Sequence, residues 1–193
     1  CCSRPTRCRA GGARSRCRGV TATTSRPTIW WITRSRVVAE TVSVVTCRPS
    51  WEGGRFDGSE DDRLRLLAEA MRLGAEYVDV EWRADRRALP RGGPTLVVLS
   101  HHDFEGVPAD LADRISAMRA EHPTIVKIAV TATRLTDCLT LREAADGGGA
   151  QVLIAMGPAG LLTRVWPAWC GSCWTYAGSA APGQMTAAVL AHR

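Results

Sequence analysis

From residue 41 onward, short apolar runs alternate with stretches of helical period. Residues 41–47 (TVSVVTC) are β-branched and apolar, the pattern of a strand buried on both faces. Residues 60–73 (EDDRLRLLAEAMRL) carry leucine and alanine at helical spacing behind an acidic first turn, with Ser59 placed to cap the start and Gly74 the end. The alternation predicts further strands at 77–81 (YVDVE), 95–100 (TLVVLS), 125–130 (IVKIAV) and 152–156 (VLIAM), and a last one within 172–177 (SCWTYA). Helices are predicted at 108–119, 136–145 and, more briefly, 161–165.

Six apolar strands with mostly helical connections imply parallel βα units, in an open doubly wound sheet or an α/β (β/α)8 TIM barrel. The polar residues favour the barrel. Arg48, Glu81, His101, His102, Lys127, Met156 and Thr175 fall within or at the C-terminal ends of successive strands, the rim from which barrels build active sites. An open sheet would gather them at one switch point. No G-x-G-x-x-G follows the first strand and no G-x-x-x-x-G-K-[ST] occurs, so a nucleotide phosphate is not the expected ligand.

Composition separates the two ends of the chain. Its 193 residues, 45% hydrophobic and 23% charged, suit one globular domain with a sizeable core, and no apolar run approaches the ~20 residues needed to span a bilayer. Residues 1–39 hold nine arginines, four of the eight cysteines and no acid, so the net charge of +6 originates there. This stretch reads as an atypical segment ahead of a folded domain at 40–193. Three readings stay open for it: a non-native, out-of-frame translation, a targeting peptide of plastid type, or divergent structure. The first residue is Cys and the first methionine is Met71, so a fragment, a processed form or a misread start is expected. The cysteine pattern implies no disulfide framework and favours a reduced cytoplasm. Basic-aromatic interleaving and a recognisable nucleic-acid module are both missing from the folded part, so no nucleic-acid partner is expected.

One lysine stands out in a chain that otherwise uses arginine for its basic residues. Lys127 lies inside IVKIAV; an ammonium buried there costs several kcal/mol unless paired, and desolvation lowers its pKa toward a nucleophilic amine. Such an amine is what imine chemistry on a carbonyl requires. The bland alternative is a lysine at a strand end, or one paired with a carboxylate such as Glu81. His102, one strand earlier, is placed to exchange protons with the same substrate, whereas His101 should face the other way. Adjacent histidines do not suggest a metal site. Trp169–Cys173 (WCGSC) competes as a thioredoxin-like dithiol, Cys170 and Cys173, although the long helix that should follow such a motif is missing.

VTCRPSWEGGRFDGS, EYVDVE, SHHDFEGVP, IVKIAV, IAMGPAGLLTR, GSCWTYA and AAPGQ occur in an order and spacing that resembles the type I 3-dehydroquinate dehydratases, from about Glu40 to about Gln184. The resemblance implies a (β/α)8 barrel, usually homodimeric and cytoplasmic, without metal or organic cofactor. Its implied reaction is loss of water from 3-dehydroquinate, giving 3-dehydroshikimate on the shikimate route to chorismate and the aromatic amino acids. By motif, the resemblance makes Lys127 the imine-forming residue and His102 the acid-base group, oriented by Glu52. Arg48, Arg164, Gln184 and Met156 are implied as substrate-binding residues. Two departures accompany it. No E-x-R-x-D element precedes Arg48, although the family carries one on the second of two further strands, and Ala180 stands where many members have Ser. A catalytically inactive fragment of the dehydratase is therefore the other reading of the same motifs.

Overall fold

The computed structural model describes residues 8–10, 13–15, 18–23, 31–37, 40–178 and 183–191, with side chains from residue 44 onward except 187 and 191. Cys1, Cys2, Cys17 and Ala180 lie outside the described residues. The strands are β1 (Cys8–Ala10), β2 (Ala13–Ser15), β3 (Arg18–Thr23), β4 (Trp31–Val37), β5 (Glu40–Thr46), β6 (Tyr77–Glu81), β7 (Leu96–Asp103), β8 (Ile125–Thr131), β9 (Gln151–Met156) and β10 (Trp174–Ala177). The helices are α1 (Glu60–Arg72), α2 (Leu111–Ala120), α3 (Thr136–Ala144), α4 (Leu161–Val165) and α5 (Ala187–Ala191).

β5 through β9 run side by side in sequence order and parallel, as the βα alternation requires. The main sheet has eight strands in the order β10-β3-β4-β5-β6-β7-β8-β9. β10 pairs parallel with β3, and β4 pairs antiparallel with both β3 and β5, so the two strands ahead of β5 come from the arginine-rich segment and interrupt the parallel order. The ends of the order meet: Ser172 bridges Gln151, and the Cys173 N–H donates to the Gln151 carbonyl at 2.8 Å.

Each strand divides its residues between two faces. One face of the sheet (Val45, Val78, Val80, Leu99, Ile128, Leu153) packs on α1, α2 and α3 through Leu64, Leu67, Ile115 and Leu141. Each such side chain, fully buried, is worth ~1.5–3 kcal/mol. The other face gathers Val44, Tyr77, Val98, Ile125, Val152 and Trp174 into the barrel interior. Most of these lie at the N-terminal ends of their strands, and Tyr77 meets Trp174 edge-on at 5.4 Å between ring centroids. They form an apolar floor beneath the third residue of β6 and of β8.

α1 begins where the capping pattern places it, with the Ser59 side chain accepting from the Asp62 N–H. The sharpest departure from the hydropathy pattern is β7, which continues three residues past its apolar run through His101, His102 and Asp103. The ladder to Ile128, Ala129 and Val130 holds these residues, and backbone hydrogen bonding does not depend on apolar side chains.

Candidate active site

Alternation along the strands brings a set of charged side chains onto the interior face above the apolar floor. β6 contributes Asp79 and Glu81, β7 contributes Ser100 and His102, and β8 contributes Lys127. Arg48 enters from the two residues that follow β5. Arg48 Nη1 donates to Glu81 Oε1 at 2.6 Å, to Ser100 Oγ at 2.8 Å and to Glu52 Oε2 at 3.1 Å, while Nη2 donates to Asp79 Oδ1 at 3.0 Å. Glu81, fully buried, also accepts from Arg63 of α1, whose other nitrogens bind Glu60. Lys127 Nζ donates to Asp79 Oδ2 at 2.7 Å and stands 5.1 Å from the centroid of the Tyr176 ring.

Glu52 comes from the short 3-10 turn Ser50–Glu52, which ends at Gly53 in the left-handed region (φ 75°). Next to it, a Cβ on Gly54 would sit 1.9 Å from the Arg48 carbonyl oxygen, so this loop folds back on Arg48 only with glycine there. The turn delivers Glu52 to both histidines: Oε2 lies 3.1 Å from His102 Nδ1 and Oε1 lies 3.6 Å from His101 Nδ1. With a carboxylate accepting at Nδ1, the His102 proton sits there and Nε2 is left as the acceptor. His101 is on the opposite face of β7, edge-on to Trp82 and near Arg114, yet it shares Glu52 with His102. Phe104 stacks on His102 at 6.3 Å.

The electrostatics follow from this crowding. Burial, then the charges of Arg48 and Lys127, drives His102 down to about 3 against the pull of Glu52, so the imidazole is neutral near pH 7 and able to accept a proton. Burial would raise Glu52, but the contacts with His101 and His102 and the charge of Arg48 outweigh it and bring it down to about 2. Asp79 is likewise lowered: burial opposes ionisation, and Arg48 and Lys127 overcome it. Burial pushes Glu81 up to about 7 despite Arg48 and Arg63. Lys127 is lowered by burial, with Asp79 opposing and Arg48 reinforcing the shift.

A pH dependence of stability follows. Glu52 falls from 4.5 to about 2 and His102 from 6.5 to about 3 on folding, so the folded protein binds fewer protons there and their stabilisation is lost as pH drops through those windows. Glu81 rises from 4.5 to about 7, so its contribution runs the other way between those values. His102 and Glu81 therefore oppose each other between pH 4.5 and 6.5, where the urea midpoint should stay nearly level. Below 4.5 it should fall steeply, and a midpoint that rose there would contradict these assignments.

The remaining residues singled out by sequence surround β9 and its successors. Met156 ends β9 within the interior cluster. Arg164 of α4 is 1% exposed, and burial lowers it to about 10. Gln184 lies in a segment brought beside β9, because a Cβ on Gly183 would sit 3.1 Å from the carbonyl oxygen of Gly157, the residue after Met156. Sequence reasoning missed Asp79 as the partner of Lys127, having named Glu81, and missed Arg63 and Ser100. Arg63 had a signal, since it shares the helical stripe of Leu67 and Ala70. Among the described residues no group of three His, Cys, Asp or Glu side chains is arranged to hold a metal ion. No helix among them is long and apolar enough to cross a membrane. A cleft of about 680 Å³ on the outside of the barrel, lined by residues that include Leu89, Arg91, Thr95 and His122, contains none of these groups.

Cys170 and Cys173 are buried, are not disulfide-bonded and belong to clusters on opposite faces of the sheet. The Cys170 thiol donates to the Pro167 carbonyl at 3.2 Å, and burial pushes its pKa up, opposite to what a redox nucleophile needs. In native protein neither thiol should react with a dithiobis-nitrobenzoate reagent at a rate above that of global opening. Fast labelling of either at neutral pH would restore the dithiol reading.

Comparison with known proteins converges on one family. The sequence profile described as Type I 3-dehydroquinase matches residues 31–192. A 3-dehydroquinate dehydratase of Desulfotalea psychrophila is 39% identical over 158 residues, covering 73% of this chain and 70% of its own length. The bifunctional chloroplastic 3-dehydroquinate dehydratase/shikimate dehydrogenase of Arabidopsis thaliana is 30% identical over 157 residues, covering 75% of this chain and 26% of its own. Among solved structures, the 3-dehydroquinate dehydratase of Geobacillus kaustophilus superposes with a TM-score of 0.65 at 27% identity, covering 77% of this chain and 65% of that one. The type I enzyme of Clostridium difficile, with covalently modified comenic acid, gives a TM-score of 0.67 at 24% identity over 77% of this chain and 65% of that one. The chain thus spans just under two thirds of the length of these two solved structures.

Proposed function

Because the chain belongs to the type I 3-dehydroquinase family, we propose that it dehydrates 3-dehydroquinate to 3-dehydroshikimate through an imine at Lys127. The observation that carries this reading is the pairing of the one lysine, buried and lowered toward the neutral amine, with a neutral His102 one strand away on the same interior face. The Lys127 nitrogen attacks the ketone carbon, a C–N bond forms, and the carbonyl oxygen leaves as water with one proton from the nitrogen and one taken from solvent, which the final hydrolysis gives back. The resulting iminium withdraws electrons from the adjacent carbon, and His102 Nε2 takes the proton from it. The electron pair of the enamine then expels the neighbouring hydroxyl, which departs as water with the proton that His102 carried. Hydrolysis of the product imine returns Lys127, for a net loss of one water from the substrate.

Glu52 fixes the tautomer and orientation of His102. Arg48 and Arg164 supply fixed positive charge for the substrate's hydroxyls and carboxylate, the latter a natural partner for a guanidinium. Gln184 and Met156 complete the contacts at the end of β9. The reaction belongs to the shikimate route, and the same reading makes the protein a cytoplasmic homodimer. Incubation with 3-dehydroquinate should produce the ultraviolet absorbance of a conjugated enone, and borohydride should add one ligand mass to the Lys127 peptide. Trapping without turnover would favour the second reading, a chain impaired by the lack of an E-x-R-x-D element. Absence of both signals from folded protein would overturn the imine.

A further inference from the structure

We propose that Asp79 is a further catalytic residue of this site, the fixed counter-ion that stays with the Lys127 nitrogen when that nitrogen becomes the cationic end of the substrate imine. This rests on the imine reading above and adds a residue to it. The argument starts from geometry. Asp79 projects from β6, and Lys127 from β8 two strands away, and the two side chains meet at 2.7 Å over the intervening Ser100 of β7. The other carboxylate oxygen, Oδ1, accepts from Ser100 Oγ at 2.6 Å and from Arg48 Nη2 at 3.0 Å. Both oxygens are therefore engaged, the group is 1% exposed, and it has no freedom to turn away when the lysine changes its bonding.

The chemistry gives this anion unequal effects along the reaction. The free amine that attacks the ketone carries no charge and gains nothing from Asp79. The iminium that follows is a cation with at most one N–H, on a side chain that is 7% exposed. A carboxylate already pointing at that nitrogen stabilises the iminium without reorganisation, and a preorganised charge in a dry site is the largest kind of contribution to catalysis. Arg48 faces Lys127 from the loop after β5, Glu52 from the turn, Glu81 from β6, His102 from β7 and Tyr176 from β10. Of the three carboxylates Asp79, Glu52 and Glu81, Asp79 is the one in contact with Nζ.

The composition of the chain makes the test direct, because any amine-specific reagent can modify one lysine and the N-terminal amine. The reagent is formaldehyde with cyanoborohydride, and methylation of the Lys127 peptide is followed by mass across pH. Wild type must first trap 3-dehydroquinate on Lys127 with borohydride, and failure at that step overturns the imine reading itself. Given trapping, Asp79→Asn should still trap substrate. Its Lys127 methylation midpoint should move down by about one to three pH units, the size of a close opposite charge, and kcat should fall at least ~10²-fold, the usual loss for one electrostatic donor. An unchanged midpoint, or kcat within threefold of wild type, overturns the role of Asp79. If Asp79→Asn does not fold, Ser100→Ala takes its place. Loss of the hydroxyl that anchors Oδ1 should lower kcat several-fold with little change in KM, and an unchanged kcat overturns the proposal.

Discussion

Replacing Lys127 with alanine is expected to lower kcat/KM for 3-dehydroquinate by at least roughly 10⁴-fold, the scale of losing a covalent nucleophile, and to abolish the borohydride adduct. The chain offers no second lysine to take over the chemistry. The loss should be one of catalysis and not of folding, since Asp79 keeps Arg48 and Ser100 as partners when Nζ is removed. Near-wild-type thermal stability with no turnover would therefore establish the nucleophile. Residual turnover above one hundredth of wild type would show that the reaction proceeds without an imine.

Arg48→Met is expected to have the largest effect on stability. One guanidinium contacts Glu52, Asp79 and Glu81, of which none is more than 5% exposed. Removing one partner of a buried charge cluster typically costs ~3–5 kcal/mol, because the remaining charges stay buried without compensation. For a chain of this length that corresponds to a fall in Tm of about 10 °C or more. The deficit should shrink at acid pH. Without Arg48 the carboxylates take up protons more readily, so the variant should lie closer to wild type at pH 5 than at pH 8. A uniform deficit across pH would mean that the loss comes from packing of the arginine stem and not from charge.

The βα order from residue 41 was readable because β-branched runs and leucine stripes carry their own period. The barrel rim was readable because charged residues interrupt those runs at corresponding points. The charge network itself was less visible. Asp79 sits between two valines in YVDVE just as Lys127 sits in IVKIAV, but nothing in one dimension says that strands β6 and β8 present them to each other over β7. Arg63 lies on the apolar stripe of α1 and looks like a surface charge until the fold brings Glu81 to it. The extension of β7 through two histidines and an aspartate depends on ladder bonds to β8, which hydropathy does not register. In the arginine-rich segment, β3 and β4 are two strands without the apolar signature of their neighbours, and the sequence placed neither.

The floor made by Tyr77, Val98, Ile125, Val152 and Trp174 has a consequence for traffic. Among the side chains described on β5 to β10 the floor below Lys127 is apolar, so on that side arrivals and departures share the doorway at the rim. On the imine route proposed above, ketone enters by the opening through which the first water must leave, and the second water and the finished product use it too. Trp51 and Phe104, each about half exposed, stand beside Glu52 and His102 as the doorposts, and a bulkier or stickier pair there would throttle exchange without touching a reacting atom.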